Sequence, residues 1–304
     1  MLDMKINNIV FKNPIMVASG TYGYGNEVSD FVDLSRFGAI ITKSVTRNPR
    51  EGNPPPRIFE VSSGMLNSIG LANLGVEKYI EEKIPYLNKI NTNVIINIAG
   101  TDISDYVETL EMLESADSKH IGYEINISCP NVKEGGMEFG VSAKMTKKLT
   151  KALRERTNKL LIMKLSPNVT SIEDIGLGAQ EGGADAVSAI NTVVGMSVDI
   201  NTKKPRLSTT MGGLSGQCIK PIAVADVYKL NKSINIPVIG IGGIASSDDI
   251  IEFMLSGASL IQLGTVNYKF PNLINTLEDD LKKYLDNSSY GHINEIIGDL
   301  VIED

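Results

Sequence analysis

The sequence has no tryptophan, and only two cysteines and two histidines in 304 residues. Two thiols cannot frame a disulfide scaffold or a structural zinc ribbon. Nor can they supply the four thiolates that an iron–sulfur cluster normally takes. His120 follows a surface-like Asp117-Ser118-Lys119 turn and His292 lies in the C-terminal tail. A Cys–His dyad, a His-rich metal site and a Ser–His triad therefore all lack parts, and no metal is expected. Aromatic residues are 6% of the chain, too few to favour a base-stacking platform. Apolar runs are short and interrupted, well below the ~20 residues of a membrane span. The start, Met1-Leu2-Asp3-Met4-Lys5, has no basic region leading into an apolar run, so a cytoplasmic setting is expected. Positive charge is also in deficit, with 29 Lys+Arg against 36 Asp+Glu and a formal net charge of −7. A polyanion such as nucleic acid needs a basic face, which this balance does not favour.

What is present is ordinary globular composition, 42% hydrophobic and 21% charged. At roughly 150 residues per domain the length allows one or two domains, but barrels run longer as one unit. Eight short, β-rich apolar runs occur, at 15–19, 39–43, 94–99, 123–128, 160–165, 186–191, 238–242 and 260–264. Most are apolar nearly throughout, which suits parallel strands covered on both faces. Helical spacing separates them: Tyr106, Leu110, Leu113 and Asp117; then Met145, Leu149 and Leu153. Ser246-Ser247-Asp248-Asp249 before Ile250, Ile251 and Phe253 reads as a helix start. Eight strand–helix units predict an α/β fold, a (β/α)8 TIM barrel over 1–304 as one domain. The rival, an open doubly wound sheet, lacks its fingerprint, because Gly20-Thr21-Tyr22-Gly23-Tyr24-Gly25 has the wrong spacing for G-x-G-x-x-G. Segments 44–93 and 192–216 are too long for barrel loops. Each is expected to hold a helix or extra strands above the C-terminal face. Residues 5–11 predict a short hairpin turning at Asn7-Asn8 and closing the barrel bottom.

Polar residues punctuate the strands in register. Ser19, Lys43, Asn97, Asn126, Lys164 and Asn191 each fall at or near a strand end. In a barrel those ends converge on the face where active sites are built. A lysine after Ile40-Ile41-Thr42, or after Leu161-Ile162-Met163, is expensive to bury without an anion nearby. One such lysine could simply end its strand in solvent; six polar residues in register point to an anionic ligand. Gly240-Ile241-Gly242-Gly243-Ile244 and Gly264-Thr265 close the last two strands. Backbone N–H groups there could cradle a phosphate, although tight turns also need glycine. Asp and Glu are sparse at the strand ends, against a two-metal or two-carboxylate site. Cys129 follows the fourth strand, and Pro130 throws its thiol into a glycine-bearing loop over 131–140 that could act as a lid. A thiol above a polar rim could serve as nucleophile or general base. Cys218, at a helix start, reads as a packing residue.

Asn126-Ile127-Ser128-Cys129-Pro130-Asn131 resembles the active-site segment of the class 1 dihydroorotate dehydrogenases. So do Gly52-Asn53-Pro54-Pro55-Pro56-Arg57, Asn67-Ser68-Ile69-Gly70-Leu71, Gly212-Gly213-Leu214-Ser215-Gly216 and Ile219-Lys220-Pro221-Ile222-Ala223. The resemblance runs from about residue 9 to 268. The triple proline, the 20–25 segment and the 212–216 segment are most similar to the class 1B catalytic subunit. That resemblance implies an FMN-containing barrel oxidising dihydroorotate to orotate in pyrimidine synthesis. It implies Cys129 as general base. It implies FMN against Ser19, Lys43, Ser44, Asn97, Asn126, Lys164 and Ile190, with its phosphate on Gly216, Gly242, Gly243, Gly264 and Thr265. It implies substrate against Lys43, Asn67, Ser68, Ile69, Gly70, Leu71, Asn126, Asn131, Asn191 and Thr192. It also implies a homodimer of this chain inside a heterotetramer, the partner carrying FAD and a [2Fe–2S] cluster and passing electrons to NAD+. Three alternatives stay open: a fumarate-reducing class 1A homodimer, another FMN barrel of the dihydropyrimidine type, and a non-catalytic barrel that binds a phosphate ligand.

Overall fold

The structure, a computed structural model, describes residues 1–128 and 139–302. Its centre is a closed parallel barrel. The strands are β1 (Ile15–Val17), β2 (Ala39–Ile41), β3 (Asn93–Ile98), β4 (Gly122–Asn126), β5 (Leu160–Lys164), β6 (Ala186–Ala189), β7 (Val238–Ile241) and β8 (Ala258–Leu263). They follow one another around the ring in chain order, and β8 closes onto β1 through Ile261 opposite Ile15. The (β/α)8 expectation therefore holds, and each of the eight apolar runs is a barrel strand. All eight end one or two residues earlier than their runs.

Helices Ile103–Glu114, Ala143–Arg154, Ile172–Glu181, Lys220–Ser233 and Ser247–Leu255 pack outside the strands. Tyr106, Leu110 and Leu113 are fully buried as the spacing predicts, but Asp117 lies beyond the helix end at Glu114. Ser246 caps its helix, accepting from the Asp249 N–H at 3.2 Å. One unit departs from the alternation. Between β1 and β2 there is only a 3-10 turn, Leu34–Arg36. Gly20, Gly23 and Gly25 all adopt positive φ there, a backbone that cannot continue a helix.

The two long excursions build one element together. Val193–Gly195, Gly212–Ser215, Gly64–Asn67 and Ile58–Val61 form a four-stranded antiparallel sheet in that order. The first excursion also carries helices Val76–Glu82 and Ile84–Leu87. At the other end, strands Met4–Ile6 and Ile9–Phe11 form the expected hairpin. Asn7, at its turn, donates to Asp185 just before β6 at 2.7 Å, which seats the hairpin under the barrel's N-terminal end. Among the described residues no helix is long and apolar enough to cross a membrane.

Candidate active site

The polar strand ends meet. Lys164, the last residue of β5, is 6% exposed, and its Nζ donates to Ser19 Oγ beyond β1 at 3.2 Å. Asn97 of β3 is fully buried, and its Oδ1 accepts from Ser44 Oγ at 2.6 Å. Asn191, beyond β6, donates to Asn126 Oδ1 of β4 at 3.2 Å, and its own Oδ1 accepts from the Thr192 N–H at 2.8 Å. Ser19, Asn97, Asn126, Lys164 and Asn191 thus share the barrel's C-terminal face, as the spacing of polar residues predicts, and Ser44 and Thr192 join them there. Ile190 is buried beside the β7 turn, where a Cβ on Gly242 would lie 3.4 Å from its Cγ1.

Lys43 is half-buried beyond β2. Burial pushes its pKa down, the Arg57 guanidinium pushes the same way, and the Glu27 carboxylate opposes. Gathering two cations at a partly desolvated mouth suits an anionic ligand. Arg57 itself donates to the Asn53 carbonyl at 3.3 Å, so the proline segment orients it.

The four-stranded sheet brings the 67–71 segment to this mouth. Asn67 Nδ2 donates to the Gly213 carbonyl at 3.3 Å. The Ser68 N–H donates to the Arg57 carbonyl at 2.8 Å, and the Asn53 N–H donates to the Ile69 carbonyl at 3.1 Å. Gly70 and Leu71 both take positive φ, 74° and 57°, so the chain turns sharply there. At Gly213 only glycine fits, because a Cβ would lie 2.1 Å from Thr192 Oγ1. This contact brings Thr192 against the strand paired with Asn67.

The glycine turns cluster as well. Gly216, Gly242 and Gly243 have φ of 102°, 125° and 79°. A Cβ on Gly243 would lie 2.9 Å from the Lys220 backbone nitrogen, so this turn abuts the first residue of helix Lys220–Ser233. Thr265 Oγ1 donates to Ser215 Oγ at 2.7 Å, tying the end of β8 to the segment before Gly216. At Gly264 a Cβ would meet only Ala18 Cβ, at 3.8 Å, leaving its backbone open to approach. Lys220 is not free to bind an anion, since its Nζ is held 2.6 Å from both Asp249 and Glu252.

Sequence reasoning missed one group. Glu124, in the middle of β4, is fully buried, and its carboxylate sits 3.5 Å from Lys164 Nζ. The signal was available: an acid stands inside Gly122-Tyr123-Glu124-Ile125-Asn126, two residues before Asn126 and so on the same face of the strand. Two other readings need correction. His120 is not a surface residue but 4% exposed, its ring edge-on to Tyr123 at 4.8 Å. Cys218 is not a packing residue but exposed, because the 3-10 turn Gln217–Ile219 buries Ile219 instead. Cys129, Asn131 and most of the 131–140 loop lie outside the described residues.

Comparison with known proteins gives a consistent set of likenesses. A family model described as dihydroorotate dehydrogenase matches residues 1–285. The chain is 50% identical over 301 residues, 99% of either chain, to dihydroorotate dehydrogenase B (NAD(+)), catalytic subunit, of Bacteroides thetaiotaomicron. It is 48% identical to the protein of the same name from Bacteroides fragilis, again over 99% of each chain. The protein of that name from Geotalea uraniireducens is 44% identical, over 99% of this chain and 98% of its own length.

Proposed function

Because this chain belongs to the dihydroorotate dehydrogenase family, we propose that it catalyses the FMN-dependent oxidation of dihydroorotate to orotate as the catalytic subunit of an NAD+-linked enzyme. The observation that carries this reading is the buried Lys164 side chain at the centre of a rim bearing Ser19, Asn97 and Asn126, with the open Gly264 turn at the end of β8. The donor set fits FMN. Lys164, Lys43 and the amide of Asn126 would face the ring, and Ser19, Ser44, Asn97 and Ile190 would border it. The turns at Gly216, Gly242, Gly243, Gly264 and Thr265, next to a helix N-terminus, would hold its phosphate.

Bound FMN supplies a two-electron acceptor for the hydride that leaves C6 of the substrate. The chain's residues do the rest. Cys129 is assigned as the base that removes the C5 proton, which requires its thiolate, a form that positive charge from a neighbouring lysine would favour. Lys43 is assigned to hold the anionic substrate, and Asn67, Ser68, Ile69, Gly70, Leu71, Asn131, Asn191 and Thr192 are assigned to border it. Asparagine suits a pyrimidine because its amide offers both donors and an acceptor. The excursion sheet, whose Gly213 lies against Thr192, would help to keep water from the bound substrate.

Electrons are assigned to a partner subunit bearing FAD and a [2Fe–2S] cluster, which reduces NAD+ in the cytoplasm. The division of labour suits a chain with two cysteines and no dinucleotide fingerprint. The assembly assigned is a dimer of this chain within a heterotetramer. The relatives' names carry NAD(+), which favours this acceptor over fumarate.

Anaerobic mixing of the FMN-loaded protein with dihydroorotate is the test. One equivalent should bleach the flavin absorbance and release one orotate. Cys129→Ala should retain FMN and be reduced roughly 10²–10⁴-fold more slowly in stopped flow, the usual worth of a positioned base. A chain that takes up no FMN, or FMN that dihydroorotate leaves oxidised, overturns the function; wild-type speed in Cys129→Ala removes the thiol from the mechanism.

A further inference from the structure

The mouth residues do not stand on an apolar floor. Immediately inside the barrel, Glu124 gathers donors from four other strands. Its Oε1 accepts from Asn97 Nδ2 of β3 at 2.7 Å and faces Lys164 Nζ of β5 at 3.5 Å. Its Oε2 accepts from Ser188 Oγ of β6 at 2.9 Å and from Gln262 Nε2 of β8 at 2.7 Å. Glu124, Asn97, Ser188 and Gln262 are all fully buried. Two amides, a hydroxyl and an ammonium converge on one side chain, and a carboxylate is the acceptor-only group that matches them.

This arrangement fixes two groups at once. Because Asn97 spends its Nδ2 on Glu124, its Oδ1 is the atom turned toward Ser44. Because Lys164 is drawn toward Glu124 and Ser19, its long side chain has one defined, buried seat. Charge is settled as well. A lone buried ammonium would be costly, and the carboxylate beside it makes the pair neutral. A flavin held at this mouth would sense a lysine whose field is partly cancelled by the carboxylate.

We propose that Glu124 is a positioning residue of the redox site, which seats Lys164 and Asn97 and, through its charge, holds down the reduction potential of the bound flavin. The inference rests on the reading that FMN occupies this mouth. A flavin that takes a hydride gains one negative charge. Lys164 favours that charge and Glu124 disfavours it, so the pair sets the potential as a difference of two opposed fields. Removing the acid alone should make the bound flavin easier to reduce; removing the lysine alone should make it harder.

The test is spectroelectrochemical titration of the FMN-loaded full chain. Glu124→Gln keeps the size and a hydrogen-bonding carbonyl but removes the charge. Its reduced-to-oxidised ratio at a fixed poise should rise roughly tenfold or more, a shift of about 30 mV for a two-electron couple. Lys164→Met should move the ratio the other way, and Glu124→Gln/Lys164→Met should return toward wild type. A potential in Glu124→Gln equal to wild type overturns the proposal. If Glu124→Gln does not fold, the double variant against Lys164→Met decides. A higher potential in the double variant supports the proposal, and equal potentials overturn it. The wild-type protein separates this from the underlying reading, since FMN uptake and bleaching by dihydroorotate test the latter alone.

Discussion

Burial against Tyr123 keeps the His120 ring neutral. Its pKa is pushed down to about 4, first by burial and then by the Lys159 charge, with Glu114 opposing. Nδ1 is paired with Ser118 Oγ at 2.8 Å, but Nε2 is buried without a partner among the described residues. The unfolded chain takes up a proton near pH 6.5, whereas the folded chain does so only near 4. In between, the unfolded state binds more protons, so stability is complete above 6.5 and falls as pH falls through that window. Between pH 7 and 5 the loss should be about 2 kcal/mol from this residue. His120→Phe, which keeps a ring on Tyr123, should flatten the pH dependence of urea unfolding by that amount; an unchanged slope would remove His120 as its source. Neither this ring nor Glu124 was read correctly in the sequence, and for related reasons. Local composition describes neighbours along the chain. His120 follows a polar turn yet folds back under β4, and the donors around Glu124 come from strands far apart in sequence. By contrast Lys164 and Asn97 were legible, because a polar residue ending an apolar run is conspicuous without any knowledge of its partners.

Strands and helices were legible to different degrees. All eight barrel strands stand out as apolar runs, since a parallel strand covered on both faces must be apolar throughout. The excursion strands were foreseen only as extra structure. Val193–Gly195 and Gly212–Ser215 are partly exposed and glycine-bearing, and pairing across 146 residues, as Asn67 with Gly213, leaves no local pattern. Helix starts follow one device repeatedly. Asp102, Ser142, Ser171 and Ser246 each accept a hydrogen bond from the N–H three residues on. This satisfies one of the donors left over at a helix start. Ser171 opens the helix that follows β5, and its Oγ accepts from Asp174 N at 3.2 Å. Ser171→Ala should cost about 1 kcal/mol of unfolding free energy, and Ser171→Asp should restore most of it. Chemical denaturation read by circular dichroism checks both, and equal stability of wild type and Ser171→Ala would dismiss the cap.

A barrel of this kind divides its labour between two ends. Beneath the strands, the hairpin plugs the barrel with Ile6 and Phe11, both buried, and Asp185 binds Asn7, the Leu161 N–H and Arg154 Nη1 at 2.7–2.8 Å. The C-terminal tail joins this end, since the Ile293 N–H donates to the Met1 carbonyl at 3.0 Å. Above the strands, the four-stranded sheet carries Asn67 and Gly213, and Leu66 is buried beneath it at 2% exposure. Packing faults at the two ends should therefore have different consequences. Ile6→Val removes one methyl from the plug and should cost about 1 kcal/mol of stability. It should leave the FMN dissociation constant and the KM for dihydroorotate where they were, because the hairpin lies at the opposite end of the strands from the mouth. Leu66→Ala removes the support under Asn67 and should cost about 2–5 kcal/mol. It should also raise the KM, because the 67–71 segment loses its fixed height over the strand ends. Thermal denaturation and steady-state kinetics on both variants separate the effects. If Leu66→Ala loses stability while its KM stays at the wild-type value, the excursion sheet is a structural cover and the substrate assignments on residues 67–71 fall with it.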